Sequence, residues 1–419
     1  MGSFYIKGPR KLIGEVHISG SKNEALKLIP LSICLKSKIM IKNVPKILDI
    51  YSQLEVFKFL GGETEFNENL ILDSKNIKKS NIVCESAKNL RASVVFLGPL
   101  LGRFKQAQIP FPGGCAIGLR PIDTHLNAFR ALGVNVTQKD DIITLTLGDI
   151  KAEKIKLDEK SVSATENILL FLSGIKRKVS VLNCAIEPEI MHLVKILNRA
   201  GAKIRLIKDR TFEIEGSDNL TISSIKVMPD RIEAGTFAIA FLATGGEGMI
   251  KPFESEYLNN LIDILKNCGA DIEIDRKNKM CRIKSTDIYR GFNIKTGPYP
   301  DFPTDLQSPM ALIASRARGK SQIHETMFEN RLGYLNSLGK MGLKYKILNR
   351  HRAEIYGPCD LKSSNLESLD LRSGITMLLA SIMSRGESEI KNAEVIDRGY
   401  EDIEEKLIKL GANIKRSNG

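Results

Sequence analysis

The chain has 419 residues, 42% of them hydrophobic and 26% charged, too many for one ordinary core, so two domains are predicted. Lysine and arginine total 62 against 49 acidic residues, a net charge of +13 that favours anionic partners. No apolar run reaches the roughly 18–20 residues of a membrane span, the seven cysteines include no Cys-x-x-Cys pair, and the five histidines form no cluster with them, which argues against a membrane span, a disulfide framework and a built-in zinc site.

The N-terminal Met-Gly-Ser-Phe-Tyr-Ile-Lys has no apolar leader region, and the scattered thiols fit a reducing cytoplasm. An initial strand is predicted over residues 4–19. A polar opening, Ser21-Lys22-Asn23-Glu24, then starts a helix, with Ser21 a natural cap. Comparable openings follow at Asn89-Leu90-Arg91-Ala92, Ser163-Ala164-Thr165-Glu166, Arg231-Ile232-Glu233-Ala234, Pro303-Thr304-Asp305-Leu306 and Asp370-Leu371-Arg372-Ser373. After each opening come an apolar helical stretch, a strand, and a second helix that ends at a glycine. Those glycines stand at 61, 133, 201, 269, 342 and 411, at intervals of 72, 68, 68, 73 and 69 residues. Each suits the position just past a helix end, where a left-handed backbone favours glycine, and each is followed by a short extended run.

Six α/β units in two domains give three units per domain. The boundary falls near Met228-Pro229-Asp230. The initial strand has no place in a three-unit count, so it is expected to pair with the last unit. The first domain is therefore predicted over 22–229, and the second over 1–21 plus 230–419.

Within the second unit lies a loop, Phe111-Pro-Gly-Gly-Cys-Ala-Ile-Gly-Leu-Arg-Pro-Ile-Asp123. Its glycines permit close backbone approach to a ligand, and Pro112 and Pro121 stop either end from continuing a helix or central strand. Cys115 at the tip offers a thiol, Arg120 a fixed cation and Asp123 a carboxylate. The same composition also suits a plain surface hairpin. Lys22, Arg91, Arg231 and Arg372 sit at or near helix N-termini, where the macrodipole disfavours cations by about 0.3–1 kcal/mol each. Helix N-termini converging on an anion would account for them; snorkelling surface side chains are the alternative. No Lys/Arg-rich run is interleaved with aromatics, which argues against a nucleic-acid partner.

Ser19-Gly-Ser-Lys-Asn23, Pro112–Asp123, Pro229-Asp-Arg-Ile-Glu-Ala-Gly-Thr236, Phe302-Pro-Thr-Asp-Leu-Gln307, Phe328-Glu-Asn-Arg331, Asp370-Leu-Arg372 and Asp397-Arg-Gly-Tyr400 together resemble the UDP-N-acetylglucosamine enolpyruvyl transferase family. The match runs from about residue 4 to residue 416, with the motifs in order. The resemblance implies two inside-out α/β barrel domains, each of three repeated units, with the active site in the inter-domain cleft. It implies transfer of the enolpyruvyl group of phosphoenolpyruvate to the 3-hydroxyl of UDP-N-acetylglucosamine with release of phosphate, the first committed step of peptidoglycan synthesis. A cytoplasmic monomer without cofactor or metal is expected.

Residue roles follow from the same resemblance. Lys22, Arg120 and Arg398 would hold the phosphoenolpyruvate phosphate, Arg331 and Arg372 its carboxylate, and Asn23 and Arg91 would orient substrate. Asp305 is the candidate base for the sugar hydroxyl, and Cys115 a proton donor on a mobile lid. Arg120, Pro121, Ile122, Asp123, Thr124, Ser161, Val162, Ser163 and Met327 would line the nucleotide-sugar site, and Asp370 and Leu371 would meet the cysteine loop on closure. The chain departs from the family pattern at Ser163, where glycine is usual, at Lys160, one place closer to the serine turn than the usual lysine, and at Ser21 and Thr124. Two alternatives are transfer to shikimate 3-phosphate and a non-catalytic anion- or nucleic-acid-binding descendant of the fold.

Overall fold

The computed structural model describes residues 2–111 and 121–417. It is a mixed α/β structure that divides into two compact units. One takes the chain up to residue 19 and from 229 onward; the other takes 20–111 and 121–228. Each has its own apolar core. Phe57, Phe96, Phe129, Phe171 and Phe212 are buried in the second, and Phe4, Phe237, Phe241, Tyr289 and Tyr400 in the first.

Six sheets share one pairing scheme. In the unit from 20 to 228, the central strand Lys38–Lys42 has Ser224–Lys226 parallel on one side. On the other side it has Leu70–Asp73 antiparallel, which in turn pairs with Glu63–Phe66. Lys178–Leu182 repeats the scheme with Lys154–Lys156 parallel and Thr211–Glu215 then Lys203–Lys208 antiparallel. Gln106–Pro110 has the antiparallel side in Ile142–Thr146 and Asn135–Lys139, with a single parallel bridge from Gln108 to Asn81. In the other unit, Glu247–Lys251 has Ile13–His17 parallel and Met280–Lys284 then Asp271–Asp275 antiparallel. Ala317–His324 has Tyr289–Arg290 and Asn293–Lys295 parallel and Arg352–Gly357 then Tyr345–Asn349 antiparallel. Gly386–Lys391 has Asn365–Glu367 parallel and, antiparallel, Ser3–Gly8 then Ile414–Ser417.

The expected single N-terminal strand is thus two. Ser3–Gly8 lies between the last two strands of the chain, and Ile13–His17 joins the sheet of Glu247–Lys251. Gly-Pro at residues 8–9 separates them, since proline ends a central strand.

Inside each unit three helices pack on one another. They are Lys22–Leu35, Leu97–Phe104 and Val162–Ser173 in one, and Arg231–Ala243, Gln307–Arg316 and Leu371–Met383 in the other. The helix Arg231–Ala243 is buried along its whole length, as its apolar residues on all sides require. Of the six openings named from the sequence, those at 21–24, 163–166, 231–234 and 370–373 lie at the starts of these helices, whereas 89–92 and 303–306 run into short 3-10 turns, Arg91–Phe96 and Thr304–Leu306, that precede Leu97–Phe104 and Gln307–Arg316. The six glycines all adopt positive φ, from +90° at Gly133 to +117° at Gly201.

At Gly133 the left-handed backbone coincides with a close approach: an added Cβ would stand 2.4 Å from the Asp149 carbonyl oxygen. Gly133→Ala is expected to destabilise the protein by about 2–3 kcal/mol, read as a lower midpoint in thermal unfolding. An unchanged midpoint would show that the 148–150 segment yields freely.

Candidate active site

The turn at Thr304–Leu306 leads into the helix Gln307–Arg316 and presents Asp305 at its start. The turn is pinned by a fully buried carboxylate, Glu325. Its Oε2 accepts from the Thr304 hydroxyl at 2.7 Å, and its Oε1 from the Thr296 hydroxyl at 3.0 Å and from the Met327 and Phe328 N–H groups at 2.7 and 3.2 Å. One buried side chain thereby fixes both the Asp305 turn and the segment leading to Arg331.

Asp305 binds two guanidinium groups, with Arg331 Nη2 2.6 Å from Oδ1 and Arg372 Nη2 3.0 Å from Oδ2. Both arginine side chains are nearly buried, while 23% of the aspartate side chain stays accessible. Each arginine is held from behind. Arg372 Nη1 donates to the Tyr400 hydroxyl at 3.0 Å, itself 2.9 Å from the Thr236 hydroxyl. The Arg331 carbonyl accepts from Gln307 Nε2 at 3.1 Å, and Gln307 accepts from the Tyr334 hydroxyl at 3.0 Å. Arg331 Nε is buried and donates to nothing among the described residues. Asp370 caps the helix Leu371–Met383, its Oδ1 accepting from the Arg372 and Ser373 N–H groups at 2.9 and 3.1 Å, which sets the position of Arg372. Burial by itself raises the Asp305 pKa, but Arg372 and Arg331 outweigh it and hold the carboxyl far below the usual range.

In the other unit, Ser21 caps the helix Lys22–Leu35 by accepting from the Glu24 N–H at 3.3 Å. Lys22 is buried and paired with Asp49 at 2.7 Å. Asn23 is half-buried beside it in sequence. Glu24 binds His192 and accepts from the Met228 N–H at 2.6 Å, tying the helix to the end of the unit. Lys27 and Glu166 form a buried pair at 3.0 Å; burial pushes the Glu166 carboxyl up to about 7 against the pull of Lys27.

Arg91 Nη2 donates to the Pro121 carbonyl at 3.1 Å. Ile122 is buried, Asp123 exposed, and the Thr124 hydroxyl donates to Glu159 at 3.2 Å. The third helix opening needs correction: Ser161, not Ser163, is the cap of Val162–Ser173, accepting from the Ala164 N–H at 3.3 Å. The Ser163 hydroxyl instead lies 3.0 Å from His125 Nε2. Cys115 and Arg120, with the rest of 112–120, lie outside the described residues. Arg398 is exposed, Met327 exposed and Leu371 half-buried.

Sequence reasoning placed cations at helix starts and inferred an anion. The structure gives these cations partners within the protein: Asp49 for Lys22, the Pro121 carbonyl for Arg91, the Tyr299 ring at 5.9 Å for Arg231, and Asp305 for Arg372. It missed Glu325, His125 and Asn167, which act through tertiary contacts and sit in no recognisable spacing. Among the other thiols, burial pushes Cys34, Cys184 and Cys281 up to about 12 and Cys268 up to about 11, which makes them poor nucleophiles.

The fold and these motifs define a carboxyvinyl transferase: a family model for EPSP synthase (3-phosphoshikimate 1-carboxyvinyltransferase) matches residues 6–407, and the chain belongs to this enolpyruvyl transferase family. Its curated relatives carry a particular name. It is 40% identical to the UDP-N-acetylglucosamine 1-carboxyvinyltransferase of Pelagibacter ubique, over 100% of both chains, and 38% identical to that of Desulforapulum autotrophicum, over 99% of this chain and 100% of the relative. Among solved structures, the enolpyruvyl transferase NikO from Streptomyces tendae aligns with a TM-score of 0.90 at 22% identity, covering 100% of this chain and 99% of that one. An EPSP synthase from Acinetobacter baumannii aligns at 0.75 and 16%, with both chains fully covered.

The ion-pair geometry sets a pH dependence. The folded pKa of Asp305 lies below its unfolded value, so its stabilisation is complete above the unfolded pKa of about 3.9 and is lost as pH falls through the folded value. Asp305→Ala leaves two nearly buried guanidiniums uncompensated and is expected to cost about 3 kcal/mol at pH 7. In urea titrations the gap between wild type and variant should narrow only below about pH 4. A gap that closes near pH 6 would contradict the pairing.

Proposed function

We propose that this protein transfers the enolpyruvyl group of phosphoenolpyruvate to the 3-hydroxyl of UDP-N-acetylglucosamine, releasing phosphate and supplying peptidoglycan synthesis. The observation that carries the reading is the likeness over the full chain to relatives named for this reaction. Each unit is read as an inside-out α/β barrel of three repeats of about 70 residues, supported by the shared strand order of the six sheets and the recurring positive-φ glycine.

In this reading the sugar hydroxyl adds to C2 of the enol while C3 takes a proton. Loss of phosphate and of a C3 proton then restores the double bond. Cys115 is the C3 proton donor and Asp305 accepts the hydroxyl proton. Lys22, Arg120 and Arg398 neutralise the phosphate. Arg331 and Arg372 take the carboxylate, and the buried, unused Nε of Arg331 gives that guanidinium a second donor for a forked contact. Asn23, Arg91, Pro121–Thr124, Ser161–Ser163 and Met327 hold the nucleotide sugar. Asp370 and Leu371 meet the cysteine loop on closure.

Asp305 as found is ionised but a weak base, because both its oxygens are engaged by guanidinium groups. A substrate carboxylate that binds Arg331 and Arg372 draws their charge away from Asp305 and restores its basicity. The base is then strengthened by the substrate it serves.

Phosphate release from phosphoenolpyruvate is expected with UDP-N-acetylglucosamine and not with shikimate 3-phosphate; the reverse pattern would assign the sister reaction. Asp305→Ala should lower kcat by about 10³-fold while the KM for phosphoenolpyruvate falls, since the variant no longer competes for the two arginines. A raised KM with kcat retained would remove Asp305 as the base. Cys115→Ser should abolish covalent labelling by an epoxide phosphonate, followed by intact-protein mass spectrometry; persistent labelling would point to another residue.

A further inference from the structure

Ser163, one of the positions read above as departures from the family pattern, is built into a hydrogen-bond chain whose polarity can be followed atom by atom. It begins at Asn167, buried in the helix Val162–Ser173. The Gly98 N–H donates to Asn167 Oδ1 at 2.6 Å, which identifies that atom as the amide oxygen. Gly98 is packed so closely that an added Cβ would stand 2.2 Å from the Asn167 carbonyl oxygen, so the backbone there is held against the asparagine. The Asn167 amide nitrogen is then the donor, to the Val94 carbonyl at 2.8 Å and to His125 Nδ1 at 3.0 Å.

A ring nitrogen that accepts from an amide carries no proton. The proton of a neutral His125 is therefore on Nε2, and it donates to Ser163 Oγ at 3.0 Å. The ring is 2% exposed. Burial pushes its pKa down to about 3, and the charges of Arg91 and Lys27 push the same way. Among the described residues the Ser163 hydroxyl makes no other hydrogen bond, and the side chain is half-buried rather than enclosed. Its own proton is left for an outside acceptor.

We propose that Ser163 is a substrate-contacting donor to the diphosphate of the nucleotide sugar, and that Asn167 and His125 are positioning residues that fix its hydroxyl in the donor sense. This rests on the reading above that the 161–163 turn lines the nucleotide-sugar site. The serine adds a hydrogen bond where the usual glycine offers no side chain. A phosphoryl oxygen is a matching partner because it only accepts and carries charge, which strengthens the hydrogen bond that the hydroxyl donates.

Calorimetric titration with UDP and with uridine tests this. Ser163→Ala and Ser163→Gly should each weaken UDP binding about tenfold, the loss of one hydrogen bond to a charged acceptor, with uridine binding unchanged. His125→Gln should weaken UDP binding similarly, and the double variant His125→Gln, Ser163→Ala should be no weaker than Ser163→Ala alone, as expected of residues acting in series. Should His125→Gln fail to fold, nitrogen-15 NMR of the wild-type ring decides the positioning role. It should show Nε2 protonated and Nδ1 unprotonated between pH 5 and pH 8, and the opposite tautomer or a titrating ring overturns it. Wild type that binds UDP with Ser163→Ala unchanged overturns this inference alone. Wild type that binds no UDP overturns the nucleotide-sugar reading together with it.

Discussion

The carboxylate of Asp305 between Arg331 and Arg372 is the constraint on which the rest of its unit depends. Two nearly buried guanidiniums are tenable only with a compensating anion, and Asp305 supplies it. The surrounding residues serve that arrangement. Glu325 pins the turn that carries Asp305, Gln307 and Tyr334 hold the Arg331 backbone, and Tyr400 with Thr236 holds Arg372. The internal charge balance explains how a chain with a net charge of +13 keeps Arg331 and Arg372 nearly buried. On the proposed reading, a substrate carboxylate displaces this intramolecular one, so affinity at this point would measure a difference between two carboxylates rather than the strength of one contact.

The same principle operates in the other unit with different partners. Lys22 is neutralised by Asp49 and Lys27 by Glu166, each pair largely buried. Lys22 and Arg372 lie in the first turns of their central helices, and Lys27 and Glu166 in the second. What differs from copy to copy is which residue neutralises the cation.

Much of this was legible in the sequence because it was local. A glycine that must adopt positive φ after a helix announces itself by type and by recurrence, and the six did so at intervals of 68 to 73 residues. Capping residues such as Ser21 and Asp370 were likewise visible, since their chemistry acts within three residues. Ser163 was misread as a cap because Ser161 and Ser163 both precede the same apolar run, and only the backbone tells which one accepts from Ala164. Partnerships across the fold left a weaker trace. Asp305 with Arg372 spans 67 residues and Asn167 with Gly98 spans 69, about one repeat in each case, but the repeat alone does not say which side chains meet.

That difference bears on how substitutions at the site should be interpreted. Ser163 in place of glycine reads from the sequence as added bulk in a turn. In the structure its oxygen is already the end point of a chain that starts at the Gly98 N–H and passes through Asn167 and His125. Every link has its donor fixed by the one before it, and the first is a backbone group that cannot reorient. A hydroxyl anchored in this way loses less rotational freedom on binding than a free serine would, so its hydrogen bond is made with less entropic cost. On the proposed reading, the departure from the family pattern is a gain in preorganisation, provided by neighbours that are themselves held by the packing of the helix.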